Sequence, residues 1–220
     1  GERPVNPEDF IRANTLLRFT PLVPEIELHL AAEVVPLWRR TEEELAAIGV
    51  PPPYWAFAWA GGQALARYVL DNPQTVKGRK VLDIGSGSGL VGIAAAKAGA
   101  AGVLAADIDS VACAAIRLNA AANDRSLAVT ADDLIGARED WDVILVGDLF
   151  YERPLAERLL EWLHGLKAEV LLGDPGRNYF PRQGVNELAR YQVPTTRDLE
   201  DREIRDTGVF RLIRPEGSLG

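Results

Sequence analysis

The 220 residues contain one cysteine, two histidines and no methionine. A lone Cys113 cannot build an internal disulfide framework, and with two histidines it cannot furnish even one common structural zinc site. No metal ligand set is therefore expected. Excess basic charge is missing too: 24 Lys and Arg stand against 32 Asp and Glu, for a net charge of −8 and a pI near 4.9. Binding a phosphate backbone needs a basic surface, so nucleic acid is not an expected partner. No apolar run approaches the roughly 18 residues that span a bilayer, and no signal-peptide pattern opens the chain, so no membrane association is expected. The absent methionine, initiator included, fits a processed or recoded chain. Without a visible Arg-rich presequence, a bacterial cytoplasm is the expected compartment, with the mitochondrial matrix as the alternative. A monomer is the default expectation.

What is present is ordinary globular composition, 47% apolar and 25% charged. A chain of this length buries roughly two-thirds to three-quarters of its unfolded surface and needs no staples. One domain over 1–220 is expected, an extension of residues 1–60 leading into a core of residues 61–215. In the extension, "PEDFIRANT" reads as a short helix with proline in its first turn, and "IELHLAAEVVPLW" as a strand or hairpin. "TEEELAAIG" has a capping box, Thr41 with Glu44, and Gly49 as its stop. From Gly61 onward, short apolar runs alternate with amphipathic helical stretches, the mark of an α/β, doubly wound, mostly parallel sheet. The last two strand-like runs have no helix between them, which predicts an antiparallel C-terminal hairpin. The charged run "RDLEDREIRD" between them reads as a solvated turn or as a substrate-facing loop.

The strongest motif is "VLDIGSGSGLVGIAAA". Strand, glycine-rich turn and helix follow in the order that aims unpaired backbone N–H groups at a ligand. Glycines at 85, 87 and 89 allow the tight turn. A dinucleotide fingerprint would place a small residue at 90, where Leu90 stands, and Asp83 at the strand end would repel a pyrophosphate. A cationic amino-acid group, such as that of S-adenosylmethionine (AdoMet), would welcome the same carboxylate. Asp107, closing the next strand, can accept hydrogen bonds from ribose hydroxyls. After the third strand, Asp132 or Asp133 stands where an adenine amino group could be met. Gly62, Ser86, Ile108 and Trp59 complete the expected donor-binding set. Asn119 and Asn123 read as surface or helix-end residues, and Cys113 as a small buried hydrophobe.

Acid-x-G-x-G-x-G, then Asp107, then "VGD", resembles the class I, seven-stranded AdoMet-dependent methyltransferases. The resemblance implies strand order 3-2-1-4-5-7-6 with the seventh strand antiparallel. Asp148 and Tyr151 in "GDLFYE" match the D-x-x-Y motif of a protein-methyltransferase branch. With "YWAFAWAGGQALARYVLDNP", they are most similar to the lysine methyltransferases of the electron transfer flavoprotein β-subunit, over roughly residues 20 to 213. The implied partner is that flavoprotein subunit, the cofactor AdoMet, and the reaction methylation of lysine. One departure is Ala60, where the family pattern has proline.

The residue chemistry agrees with that implication. Methyl transfer from a sulfonium is an in-line displacement, accelerated mostly by holding amine and methyl carbon together. The amine must be neutral, which a dry aromatic pocket favours, and a carboxylate beside it orients the nitrogen. Asp148 suits that role unless it merely caps the following helix. Tyr151 suits a channel wall, and Trp59 a face for a cation, unless each is plain core packing. Methylation of another protein or of a small amine, and an AdoMet-binding scaffold without turnover, are the competing readings.

Overall fold

The computed structural model describes residues 6–31, 47, 51–195 and 204–215. Helix α1 (Pro7–Asn14) begins at Asn6, whose side chain accepts the Glu8 N–H. Pro7 sits in the first turn, where its missing N–H costs nothing. A two-stranded hairpin follows, β1 (Thr15–Phe19) antiparallel to β2 (Glu27–Ala31). Of the helix expected around Thr41, Ala47 alone is described, and it is helical; residues 197–203 of the charged run before the last strand lie outside the described residues.

Regular alternation then builds α2 (Ala60–Asp71), β3 (Lys80–Ile84), α3 (Leu90–Lys97), β4 (Gly102–Ala106), α4 (Ser110–Ala122), β5 (Ala128–Thr130) and β6 (Val143–Gly147). After these come α5 (Arg153–His164), β7 (Glu169–Asp174), β8 (Val185–Pro194) and β9 (Ile204–Leu212). The 7-stranded sheet runs β5-β4-β3-β6-β7-β9-β8. Strands β5 through β7 are parallel, and β9 is antiparallel to both of its neighbours. Counted from β3, this is the order 3-2-1-4-5-7-6 with an antiparallel seventh strand.

Strand β6 shows why the order is stable: Val143, Ile144, Leu145 and Val146 are all buried. With period two, Val143 and Leu145 face one layer with Leu65, Val91 and Ile93 of α2 and α3. Ile144 and Val146 face the other, with Leu159, Trp162 and Leu163 of α5. Helix α2 crosses the end of β7 at a pair of glycines. A Cβ on Gly61 would lie 2.2 Å from the Gly173 carbonyl oxygen, so no side chain fits there.

The extension packs by two devices. The proline–aromatic strip is broken by a 3-10 turn (Tyr54–Ala56), which turns Trp55 inward against Phe10, Ile11 and the alanines of α4. The second corrects the surface expectation for Asn119 and Asn123, which are 0% and 8% exposed, although Asn123 does stand at a helix end, as the C-cap of α4. Asn119 accepts the His29 N–H at 2.8 Å and donates to the Ser88 carbonyl at 2.7 Å. Asn123 accepts from the Glu27 N–H and donates to its carbonyl. An Ala-rich helix with polar residues at i, i+4 reads as solvent-facing until the hairpin that covers it is known. Among the described residues, no helix is long and apolar enough to cross a membrane, and no His, Cys, Asp and Glu group could hold a metal ion.

Candidate active site

Parallel register brings the carboxyl ends of the strands level. Ile84 pairs with Ala106 and Val146, Ala106 with Thr130, and Gly147 with Gly173. The next residues of each strand therefore share one edge: the glycine loop, Asp107, Asp132, Asp148 and, closing β7 itself, Asp174. A cavity of about 600 Å³ opens there, within the usual size of small-molecule sites, roughly 300–1,000 Å³. Its wall includes Trp59, Gly62, Asp83, Gly85, Ser86, Gly87, Asp107, Ile108, Asp132, Asp148 and Tyr151. Gly89 departs from the expected set. It caps α3 in a left-handed turn with φ 86° and faces Ile116 instead of the cavity.

The loop is organised by its own acids. Asp83 is 2% exposed, and its Oδ2 accepts the Ser86 hydroxyl at 2.6 Å and the Gly92 N–H at 2.9 Å. Burial pushes its carboxyl up to about 7, and the negative Asp107 adds to that, against the two hydrogen bonds. Asp107 accepts the Gly87 N–H on Oδ2 at 2.8 Å and the Asp109 N–H on Oδ1 at 3.0 Å. Each oxygen thus keeps a lone pair for a diol. Burial raises this carboxyl as well. Of the adjacent acids after β5, Asp133 is held by Arg158 at 2.9 Å and by the Ile135 N–H. The Arg158 bond lowers its carboxyl. Asp132 therefore has the more available carboxylate of the two.

Asp148 occupies a left-handed corner, φ 60°, at the end of β6. It does not cap the following helix: α5 begins at Glu152 with no side-chain cap. Instead it caps α2, with Gly61 N–H to Oδ1 at 2.9 Å and Gly62 N–H to Oδ2 at 2.7 Å. Arg177 adds Nε and Nη2 to the same Oδ1, at 3.1 and 2.7 Å. Beyond the carboxylate stands an arc of rings: Tyr54 lies 6.0 Å from both Trp59 and Tyr151, and Phe57 lies 5.6 Å from Trp59. Trp59 anchors the arc by donating its indole N–H to the Tyr54 carbonyl at 2.9 Å. The cavity thus has an acid-lined, glycine-rich half and an aromatic half, which meet at Asp148.

Comparison with known proteins identifies the family. The family described as Ribosomal protein L11 methyltransferase (PrmA) matches residues 63–149. An electron transfer flavoprotein beta subunit lysine methyltransferase from Danio rerio is 41% identical over 217 residues, covering 93% of this chain and 82% of that protein. The chain belongs to the electron transfer flavoprotein beta subunit lysine methyltransferase family. The Xenopus laevis protein of that name is 43% identical over 216 residues, covering 93% of this chain and 86% of its own. In fold, the methyltransferase is similar to magnesium protoporphyrin IX methyltransferase from Synechocystis PCC 6803 with bound SAH. There the TM-score is 0.53 and the identity 17%, over 70% of this chain and 81% of that one.

Two residues of this lysine methyltransferase's site escape the motif reading. Arg177 reaches Asp148 from the loop after β7, and Asp174 shapes that loop, accepting the N–H groups of Gly176 and Arg177 at 2.7 Å each. Asp174 is 1% exposed, and burial pushes its carboxyl up to about 6, with Asp148 contributing. The signal was there: "GDPGR" puts an acid and a turn on the same strand edge that marked Asp148.

Proposed function

We propose that the protein transfers a methyl group from AdoMet to lysine ε-amines of the electron transfer flavoprotein β-subunit, acting as a monomer. Residues 61–215 form its AdoMet-binding core. The observation carrying this reading is the cavity whose two halves meet at Asp148. AdoMet fits the acid-lined half by its chemistry: Asp107 retains acceptor capacity for ribose hydroxyls, Asp132 for an adenine amino group, and the ionised form of Asp83 suits a cation. When bound it supplies an electrophilic methyl group. Gly62, Gly85, Ser86, Gly87 and Ile108 shape that half, and Trp59 borders it from the aromatic side.

On the other side, Tyr54, Phe57, Trp59 and Tyr151 form an apolar channel that favours the neutral amine over its ammonium. Asp148 Oδ2, holding one backbone N–H, accepts a second hydrogen bond from the amine and orients the nitrogen lone pair toward the donor half. Tyr151 walls the channel. The compartment is that of the flavoprotein, the bacterial cytoplasm or the mitochondrial matrix. Incubation with purified flavoprotein and AdoMet, followed by mass spectrometry, should show methyl increments on lysines of the β-subunit. An unmodified subunit refutes the substrate assignment. The match over residues 63–149 favours a ribosomal protein as the second reading, tested by adding ribosomes to the same incubation.

A further inference from the structure

The loop after β7 brings a guanidinium to the point where the two halves of the cavity meet. Arg177 places Nε and Nη2 on one oxygen of Asp148, and its guanidinium carbon lies 5.7 Å from the centre of the Trp59 ring. The side chains of the ion pair are only 16% and 10% exposed. Because Oδ1 already takes the Gly61 N–H, the two arginine donors saturate it. Oδ2, with the Gly62 N–H alone, is left as the oxygen with capacity for a ligand. The carboxylate therefore cannot turn without breaking bonds to two separate elements.

The charges around Asp148 sharpen the point. From the end of β7 and the loop after it come the buried Asp174 and Arg177. From α2 come the N-terminal amides, which favour a negative charge. On its own loop lies Tyr151, and on β3 lies Asp83, turned toward Ser86 and Gly92. Within this set Arg177 is the cation that offsets two neighbouring acids. It also lies against Trp59, where a guanidinium is attracted to an indole ring.

We infer that Arg177 is a positioning residue for methyl transfer: it sets its positive charge on Asp148 Oδ1, directs Oδ2 at the incoming amine and braces Trp59 in the channel wall. The inference rests on the lysine-methyltransferase reading of this site. Lysine at 177 would restore the charge without the two-pronged contact or the flat face.

The test compares wild type, Arg177→Gln and Arg177→Lys with flavoprotein and AdoMet, and adds a carbon NMR titration of the Asp148 carboxyl. Arg177→Gln should lower kcat by roughly 10- to 100-fold while the AdoMet Kd stays within about twofold. The acid limb of its pH–rate profile should move to higher pH, since an uncompensated buried carboxylate takes up a proton more readily. Arg177→Lys should recover the pH profile more fully than kcat. Wild-type kcat in Arg177→Gln, or a kcat loss with an unmoved acid limb, overturns the inference. If wild type methylates no lysine, it is the functional reading that fails. The titration still decides the clamp: a carboxyl signal that moves to higher pH in Arg177→Gln supports it, and an unmoved signal overturns it.

Discussion

Replacing Gly61 with alanine tests whether the junction of α2, β7 and Asp148 is as tight as its geometry states. The new Cβ would stand 2.2 Å from the Gly173 oxygen, 2.7 Å from its carbon and 2.6 Å from Asp148 Oδ1, against ordinary contacts of 3.4–4 Å. The start of α2 must retreat by about 1 Å, and a backbone carbonyl inside a sheet cannot give way. Overpacking of this kind costs roughly 1–3 kcal/mol, and loosening a hydrogen bond to a charged group adds about 1.5–3 kcal/mol. A total near 4 kcal/mol should lower Tm by roughly 8–16 °C in a chain of this size. Gly62→Ala is the control. Its Cβ would lie 3.7 Å from Asp148 Oδ2 and 3.9 Å from Val91 Cγ2, so it fits. Its stability should stay within about 1 kcal/mol of wild type, helped by helix propensity. Calorimetry and urea unfolding of the pair read both values. Wild-type melting in Gly61→Ala, or equal losses in the two variants, would refute the packing argument.

Asp83 should make stability and donor binding respond to pH in opposite directions. Its folded-state carboxyl titrates near 7 instead of 3.8. The folded chain therefore holds a proton that the unfolded chain has released. This contribution is fully present below the unfolded value, falls by roughly 4 kcal/mol as pH rises through that window, and is flat above it. A cationic ligand favours the ionised form, so AdoMet should bind more tightly as pH rises through 7 and release a proton, read by calorimetry in buffers of different ionisation heat. Asp83→Asn should flatten both dependences. Asn119→Ala should leave the His29 N–H and the Ser88 carbonyl without their partner. The cost is about 2–4 kcal/mol, with faster amide exchange along β2, and unchanged exchange there would contradict its clamping role.

The acid-bearing edge was legible because it rests on local order. Each strand ends in its own acid or glycine, and parallel register aligns the ends without further information. A doubly wound parallel sheet with an antiparallel edge followed in the same way from strand–helix alternation and a helix-free tail, whereas the order of its strands came only with the family resemblance. What escaped depends on remote partners. The bonds that define Asp148 come from Gly61, Gly62 and Arg177, none of them in its own segment. Asn119 and Asn123 carry the same amide whether exposed or buried, and only the hairpin's docking makes them clamps. Gly89 looked like its neighbours in the loop, yet its carbon faces Ile116 because the chain has by then turned into α3. Repeated glycines announce a turn but do not say which of them a ligand touches.

The left-handed corner at Asp148 shortens the alphabet open to that position. Glycine relaxes the backbone but removes the acid. Glutamate keeps the acid but is poorly suited to a positive φ, and its extra methylene would have to fit among groups already in hydrogen-bond contact. Asparagine keeps the corner and the shape, yet it offers one acceptor oxygen where two backbone amides need one each. Aspartate alone meets the turn, the helix start and the charge together. A drift in chain direction at this residue would therefore also be a change in its chemistry.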